Sequence, residues 1–107
     1  KFDIAQKYYD RILSEKPNAH DYLNAGHVEL CIGNMEKAVD LYEESLEMAG
    51  NFSTFRTMLK EDEDELQEAG VNTEILPLLL DKIKYDMEEK YKKGIDTKEK
   101  NGRTFSV

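Results

Sequence analysis

Four side chains that could bind a metal ion follow one another at helical spacing in the first third of the sequence. His20, Asn24, His27 and Cys31 are separated by four, three and four residues. In a helix this spacing places imidazole, amide and thiol groups on one face. His27 and Cys31, one turn apart, have the residue types that chelate zinc or copper. A closed zinc site needs four good ligands and asparagine is a poor one, so a metal site ranks third among the functions considered.

The same residues give little basis for catalysis. Cys31 and His27 would pair a nucleophile with a base, but two residues one turn apart on a helix supply no oxyanion site. The sequence contains neither a glycine-rich phosphate loop nor a serine, histidine and acid arrangement of the hydrolase kind. We therefore predict that the chain is not an enzyme and uses no cofactor.

An acidic run, "EDEDE" at residues 61–65, is the most concentrated charge in the chain. It lacks the glycine and the ligand spacing of an EF-hand loop. Within a predicted helix the five acids point to several faces, which is typical of a solvated surface. The alternative is a docking strip for a basic partner, whose binding would weaken steeply with salt.

Composition excludes several classes of partner. The net charge of −8 over 107 residues argues against nucleic-acid binding through phosphate contacts. The longest apolar run, residues 75–80, is far shorter than the roughly 20 residues of a membrane span. One cysteine, Cys31, permits no internal disulfide and is compatible with a reducing compartment such as the cytoplasm. We therefore predict no nucleic-acid partner and no membrane association.

Apolar periodicity predicts an all-α fold of five sequential antiparallel helices. Prolines and glycines separate them, at Pro17, Gly33, Gly50 and Gly70. The predicted helices cover residues 2–16, 20–32, 35–48, 53–68 and 73–93. The inward face of the last helix is predicted to contain Leu76, Leu79, Leu80, Ile83, Met87 and Tyr91. The polar residues 94–107 are predicted to form a mostly disordered tail.

A shift of 33 residues superimposes the first predicted helix on the third. Ala5 then falls on Ala38 and Tyr9 on Tyr42. Together with Leu13, which falls on Leu46, these identities are four residues apart and form one face of a helix. A shared face implies a shared packing partner, which is typical of a helical repeat.

Residues 19–51 resemble a tetratricopeptide repeat. Its pattern is carried by an aromatic residue, a large apolar residue followed by glycine, an alanine and a second aromatic residue, and the matching positions here are Tyr22, Ala25, Gly26, Ala38 and Tyr42. The segment departs from the pattern in three places: Ala25 replaces leucine, Glu29 replaces tyrosine and Gly50 replaces proline.

Residues 1–17 resemble the second half of another such unit, through Ala5, Tyr9 and Pro17. The resemblance implies an antiparallel helical-hairpin solenoid. Its repeat region is 1–51, with a half repeat at 1–17 and a full repeat at 19–51. Residues 52–93 would form a capping helix pair and residues 94–107 a polar tail. Gly26 would let the two helices of the full unit cross closely, with Ala38 at the facing position.

The resemblance also implies a function in protein–protein interaction. In this family the first helix of each unit lines a concave groove that binds extended peptides or a partner helix. The positions of this chain that match the groove are His20, Leu23, Asn24, His27, Leu30 and Cys31. The alternative is a structural end-cap of a longer repeat protein with no binding site of its own. The first helix lacks a partner helix, so self-association through its uncapped face is a further expectation.

Overall fold

In a computed structural model, the backbone is described for residues 2–101 and the side chains for residues 2–92. This part of the chain is helical and contains no strand. Its elements are α1 (Phe2–Leu13), α2 (Ala19–Ile32), α3 (Met35–Ala49), α4 (Phe52–Glu61), α5 (Glu63–Glu68), a 3₁₀ turn (Thr73–Ile75) and α6 (Leu76–Asn101). No helix in the described range combines the length and the apolar character needed to cross a membrane.

The observed helices differ from the predicted ones at three places. α1 ends at Leu13, whereas the sequence predicted residue 16. The fourth predicted helix is divided at Asp62 into α4 and α5. The last helix continues to Asn101, past the predicted end at residue 93, and Gly94 does not end it. Residues 102–107 of the predicted tail lie outside the described residues.

Local capping defines both ends of α2. The Asn18 side chain accepts a hydrogen bond from the Asp21 backbone N–H, and the Asp21 carboxylate accepts one from the Asn18 N–H. This reciprocal pair satisfies backbone donors at the start of α2. Gly33 ends α2 in the left-handed conformation, with φ of 96°, which a residue with a Cβ rarely adopts.

The core lies between α2, α3 and the C-terminal helices. It is formed by the side chains of Leu23, Leu30, Ala38, Val39, Tyr42, Leu46, Phe55, Met58, Leu59, Leu66, Leu76, Leu79 and Ile83. Of the residues that carry the family resemblance, Ala25, Gly26, Ala38 and Tyr42 are buried, whereas Ala5, Tyr9, Pro17 and Tyr22 are half-buried. Residues 19–51 therefore contribute the centre of the core and residues 1–17 its edge.

The predicted inward face of α6 is correct only for its first three turns. Leu76, Leu79 and Ile83 are buried, and Leu80 and Met87 are half-buried. Tyr91 is 71% exposed, contrary to the prediction. α6 still contacts α3 near this residue, through the ion pair of Lys90 with Glu47, but the Tyr91 side chain itself is left largely in solvent.

Gly26 is required by the close approach of α2 to α3. A Cβ atom at this position would lie 2.6 Å from Cε1 of Tyr42, which is far inside van der Waals contact. Ala38 is also buried, but the group facing Gly26 is the Tyr42 ring and not Ala38 as the sequence suggested. The glycine therefore admits an aromatic ring into the helix crossing, and the buried ring offsets the roughly 1 kcal/mol cost of glycine in a helix.

Candidate functional site

His27 lies at the centre of a hydrogen-bond network that connects three elements. Its Nδ1 is 2.7 Å from the Tyr42 hydroxyl on α3, and its Nε2 is 2.9 Å from Oδ2 of Asp62. Asp62 stands at the junction of α4 and α5, where the acidic run crosses α2. One acid of that run is thus directed inward, and the helix break occurs at the residue that binds the histidine.

The partners of His27 determine its tautomer. The Asp62 carboxylate only accepts hydrogen bonds, so Nε2 carries a proton and donates it. Nδ1 then accepts from the Tyr42 hydroxyl. Burial lowers the pKa of His27, and the Asp62 carboxylate opposes this shift. Burial raises the pKa of Tyr42 far above its usual range. Because both nitrogens of His27 are engaged, they are not free to bind a metal ion or a peptide.

The six positions predicted to line a groove do not form an open surface. Leu23 and Leu30 are buried in the core, which corrects the expectation that they face a groove. Asn24 is half-buried and lies near the Tyr9 hydroxyl, whose pKa is raised mainly by burial. His20 is exposed.

Cys31, the last of the six positions, is half-buried, and burial raises the pKa of its thiol. Within the described residues no group of three or more histidine, cysteine and acidic side chains is placed to hold a metal ion.

Glu29 is a buried carboxylate that sequence reasoning noted only as a departure from the repeat pattern. It is 3% exposed. Its oxygens accept hydrogen bonds from Gln6 Nε2 at 2.9 Å and from Asn34 Nδ2 at 3.2 Å, and Lys37 Nζ lies 3.6 Å away. Glu29 therefore ties α1 to the α2–α3 hairpin. An acid at a position where the repeat pattern expects an apolar residue was the available signal.

α1 presents an apolar stripe to solvent. None of its residues is buried. Ile4 is 74% exposed and Tyr8 54% exposed, and the two are one helical turn apart. We call Ile4 and Tyr8 the α1 stripe. It is the arrangement by which one helix packs against another.

Two carboxyl groups meet between α3 and α6. The pKa of Glu43 is raised to about 7, first by burial and then by its proximity to Asp86. The Oε2 atom of Glu43 is buried and has no hydrogen-bond partner among the described residues. The pKa of Asp86 is lowered, first by hydrogen bonding with Glu43 and then by Lys82. Lys82 Nζ, 3.2 Å from Asp86 Oδ2, holds the second charge in place.

An apolar cleft of about 640 Å³ lies between the end of α3, the start of α4 and the middle of α6. Leu46, Phe52, Met87 and Tyr91 form its walls. The sequence did not predict this cleft, because it depends on where α6 leaves the core.

Comparison of the chain with protein-family models, with curated proteins and with solved structures gave no match in any of the three.

Proposed function

We propose that the chain is a protein–protein interaction module of the tetratricopeptide type that docks a helix of its partner. The 33-residue repeat of Ala5 and Tyr9 with Ala38 and Tyr42 supports the repeat type. The close crossing of α2 and α3 at Gly26 is consistent with it.

The observation that carries this proposal is the exposed α1 stripe. Ile4 and Tyr8 are large apolar side chains on one face of an amphipathic helix, and both are more than half exposed. Burying such a stripe releases roughly 25 cal/mol per Å² of apolar surface. A helix is the fitting partner because the stripe follows the i, i+4 spacing of helix–helix packing.

Recognition on the face of α2 has less support. Leu23, His27 and Leu30 already make contacts within the chain, and Asp62 occupies the polar atom of His27 that a peptide would use. Only His20 is exposed among the six predicted positions, and Asn24 and Cys31 are half-buried. We therefore retain protein–protein interaction as the function and place the contact surface on α1 instead of α2.

A second candidate is a structural end-cap of a longer helical array with no binding site of its own. In that case the α1 stripe packs against a helix of the same polypeptide. The close packing of α4, α5 and α6 on the hairpin favours it, because a terminal cap must cover the apolar face of the last repeat.

Affinity capture from an extract of the cells that express the protein tests the docking surface. Three baits are compared: the parent chain, Ile4→Lys with Tyr8→Lys, and His20→Ala with Asn24→Ala. His27 is left unchanged because its removal would disturb the fold. We expect a protein that the parent and the α2 double variant retain and the α1 double variant loses. Loss with the α2 variant alone would contradict the proposal, and equal retention by all three baits would favour the end-cap.

Labelling of the full-length protein separates the two candidates. A cysteine replaces Tyr8 in a background with Cys31→Ser, and maleimide reactivity is measured without any partner. Rapid labelling supports docking of a separate molecule. Protection in the isolated full-length protein would show that the stripe is covered within one polypeptide, as the end-cap requires.

A further inference from the structure

The apolar cleft between α3, α4 and α6 is a second surface, remote from the α1 stripe. Its α6 wall contains Lys84, Met87, Glu88 and Tyr91, which follow the i, i+3, i+4, i+7 spacing of a helix-packing face. Tyr91 is 71% exposed beside it. The spacing is that of a face that receives another helix, although no further helix of the described chain covers it.

The charges along this face point to the kind of helix that fits. Glu47 at the opposite wall is already paired with Lys90 at 2.6 Å, and Lys92 lies 3.6 Å from Glu89. Among the side chains of residues 2–92, neither Lys84 nor Glu88 forms an ion pair. These two charges are opposite in sign and one turn apart on the same exposed helix face.

We infer that a second copy of this chain covers the cleft, with its α6 antiparallel to the first and a twofold axis near Met87. In that arrangement Met87 faces Met87 of the second copy. Lys84 then lies two residue positions, roughly 3 Å along the helix axis, from Glu88 of the second copy. The twofold axis repeats the same contact on the other side, so both free charges of each chain are paired.

The apolar contacts agree with this register. Tyr91 of the second copy falls one residue position from Lys84, roughly 1.5 Å along the axis. Lys84 Nζ stands 5.8 Å from the centroid of the Phe52 ring, so the incoming tyrosine reaches the wall formed by Phe52. A self-complementary pattern of this kind is the requirement for an isologous interface, and an unrelated helix has no reason to carry it.

Sedimentation velocity with charge-reversal variants tests the inference. We expect the parent chain to dimerise with rising concentration. Lys84→Glu and Glu88→Lys each place like charges together and should weaken the dimer at least tenfold. The double variant, Lys84→Glu with Glu88→Lys, restores opposite charges across the axis and should recover dimerisation. A parent chain that stays monomeric up to millimolar concentration overturns the inference, as does a double variant no better than either single one.

Matched controls keep the result interpretable. Lys60→Glu and Glu68→Lys make the same changes in net charge at exposed positions away from the cleft and should leave the dimer intact. Ile4→Lys with Tyr8→Lys should also dimerise, and its loss of dimer would assign self-association to α1 instead. The substituted side chains, Lys84, Glu88 and Tyr91, are exposed, so the variants should keep the circular dichroism of the parent. Tyr91→Ala changes no charge and should also weaken the dimer.

Discussion

α1 matches α3 in sequence at a shift of 33 residues, but α1 and the α2–α3 hairpin differ in how deeply they are buried. α2 and α3 bury five residues each, whereas α1 buries none. Tyr42 is fully buried against Gly26, while its counterpart Tyr9 is half-buried. The burial of a helix therefore depends on the helix that packs against it and not on its own sequence pattern alone. In the hairpin, Gly26 of α2 leaves room for the Tyr42 ring of α3.

The two regions also use polar groups differently. In the hairpin, Ser45 Oγ donates to the Ala19 carbonyl at 2.8 Å, and His27 joins Tyr42 to Asp62, so polar contacts add to a closed apolar core. In α1 the Gln6–Glu29 hydrogen bond is the main polar link to the hairpin, and the apolar contact is partial. We therefore expect the α2–α3 hairpin to be the most stable part of the molecule. We expect the folding of α1 to depend on the hairpin.

The largest effect is expected for Gly26→Leu, which breaks the hairpin itself. The new side chain would start 2.6 Å from the Tyr42 ring, so α2 and α3 must separate. Overpacking of this kind costs about 1–3 kcal/mol and occasionally more. A thermal melt should show a fall in Tm of roughly 10 °C or more.

The matched control is Gly50→Ala, which strains a left-handed backbone but has no atom within 4 Å of the new Cβ. It should lower Tm by less than Gly26→Leu does. A Gly26→Leu melt within about a degree of the parent would contradict the close-crossing account.

Glu29→Ala is expected to detach α1 without dissolving the hairpin. It leaves Gln6 and Asn34 without their acceptor, at a cost of about 1–3 kcal/mol. Amide NMR shifts of residues 2–13 should move toward random-coil values, while those of α2 and α3 stay dispersed. Glu36→Ala, at an exposed position of α3, is the control. Uniform loss of dispersion along the chain would mean that α1 and the hairpin unfold together.

Acidification should weaken the link between the hairpin and the α4–α5 junction. The pKa of folded His27 lies below its usual 6.5, so the unfolded chain takes up the proton more readily. The stability that His27 contributes is thus full above pH 6.5 and is lost as the pH falls toward the lower, folded-state pKa. Denaturant unfolding one pH unit either side of 6.5 should show this loss in the parent and in His20→Gln, and a smaller loss in His27→Gln. Equal pH dependence in all three proteins would show that His27 does not contribute to the loss of stability at low pH.

A smaller effect of opposite sign is expected between α3 and α6. The pKa of folded Glu43 is about 7, above its usual 4.5, so its contribution to stability is full below pH 4.5 and is lost as the pH rises through 7. Glu43→Gln keeps a donor toward Asp86 at every pH and should be at least as stable as the parent at pH 8. Urea titrations of both proteins at low and high pH measure the difference. If Glu43→Gln is less stable than the parent by the same amount at low and at high pH, the raised pKa of Glu43 does not affect stability and the prediction is wrong.

Sequence reasoning succeeded where one helix face repeats and has a partner nearby. It placed α2 and α3 within one residue at either end, and it identified Leu76, Leu79 and Ile83 as inward-facing. Periodicity carries this information because the residues of one helix face recur every three to four positions.

It failed where the outcome depends on the reach of a side chain across helices. Ala38 was expected to face Gly26, but the Tyr42 ring, one turn further along α3, extends into the crossing. Asp62 is one of five acids in a row, and only the position of His27 distinguishes it from the others. Tyr91 continues the apolar spacing of α6, but its side chain is left largely in solvent.

Hydrogen–deuterium exchange of the parent chain tests the central contrast most directly. We expect the slowest amide exchange in α2 and α3 and clearly faster exchange in α1, although all three are regular helices with intact backbone hydrogen bonds. We also expect a docked helix to slow exchange in α1 more than in α2. Protection of α1 equal to that of the hairpin in the isolated chain would contradict the difference in burial between α1 and the hairpin.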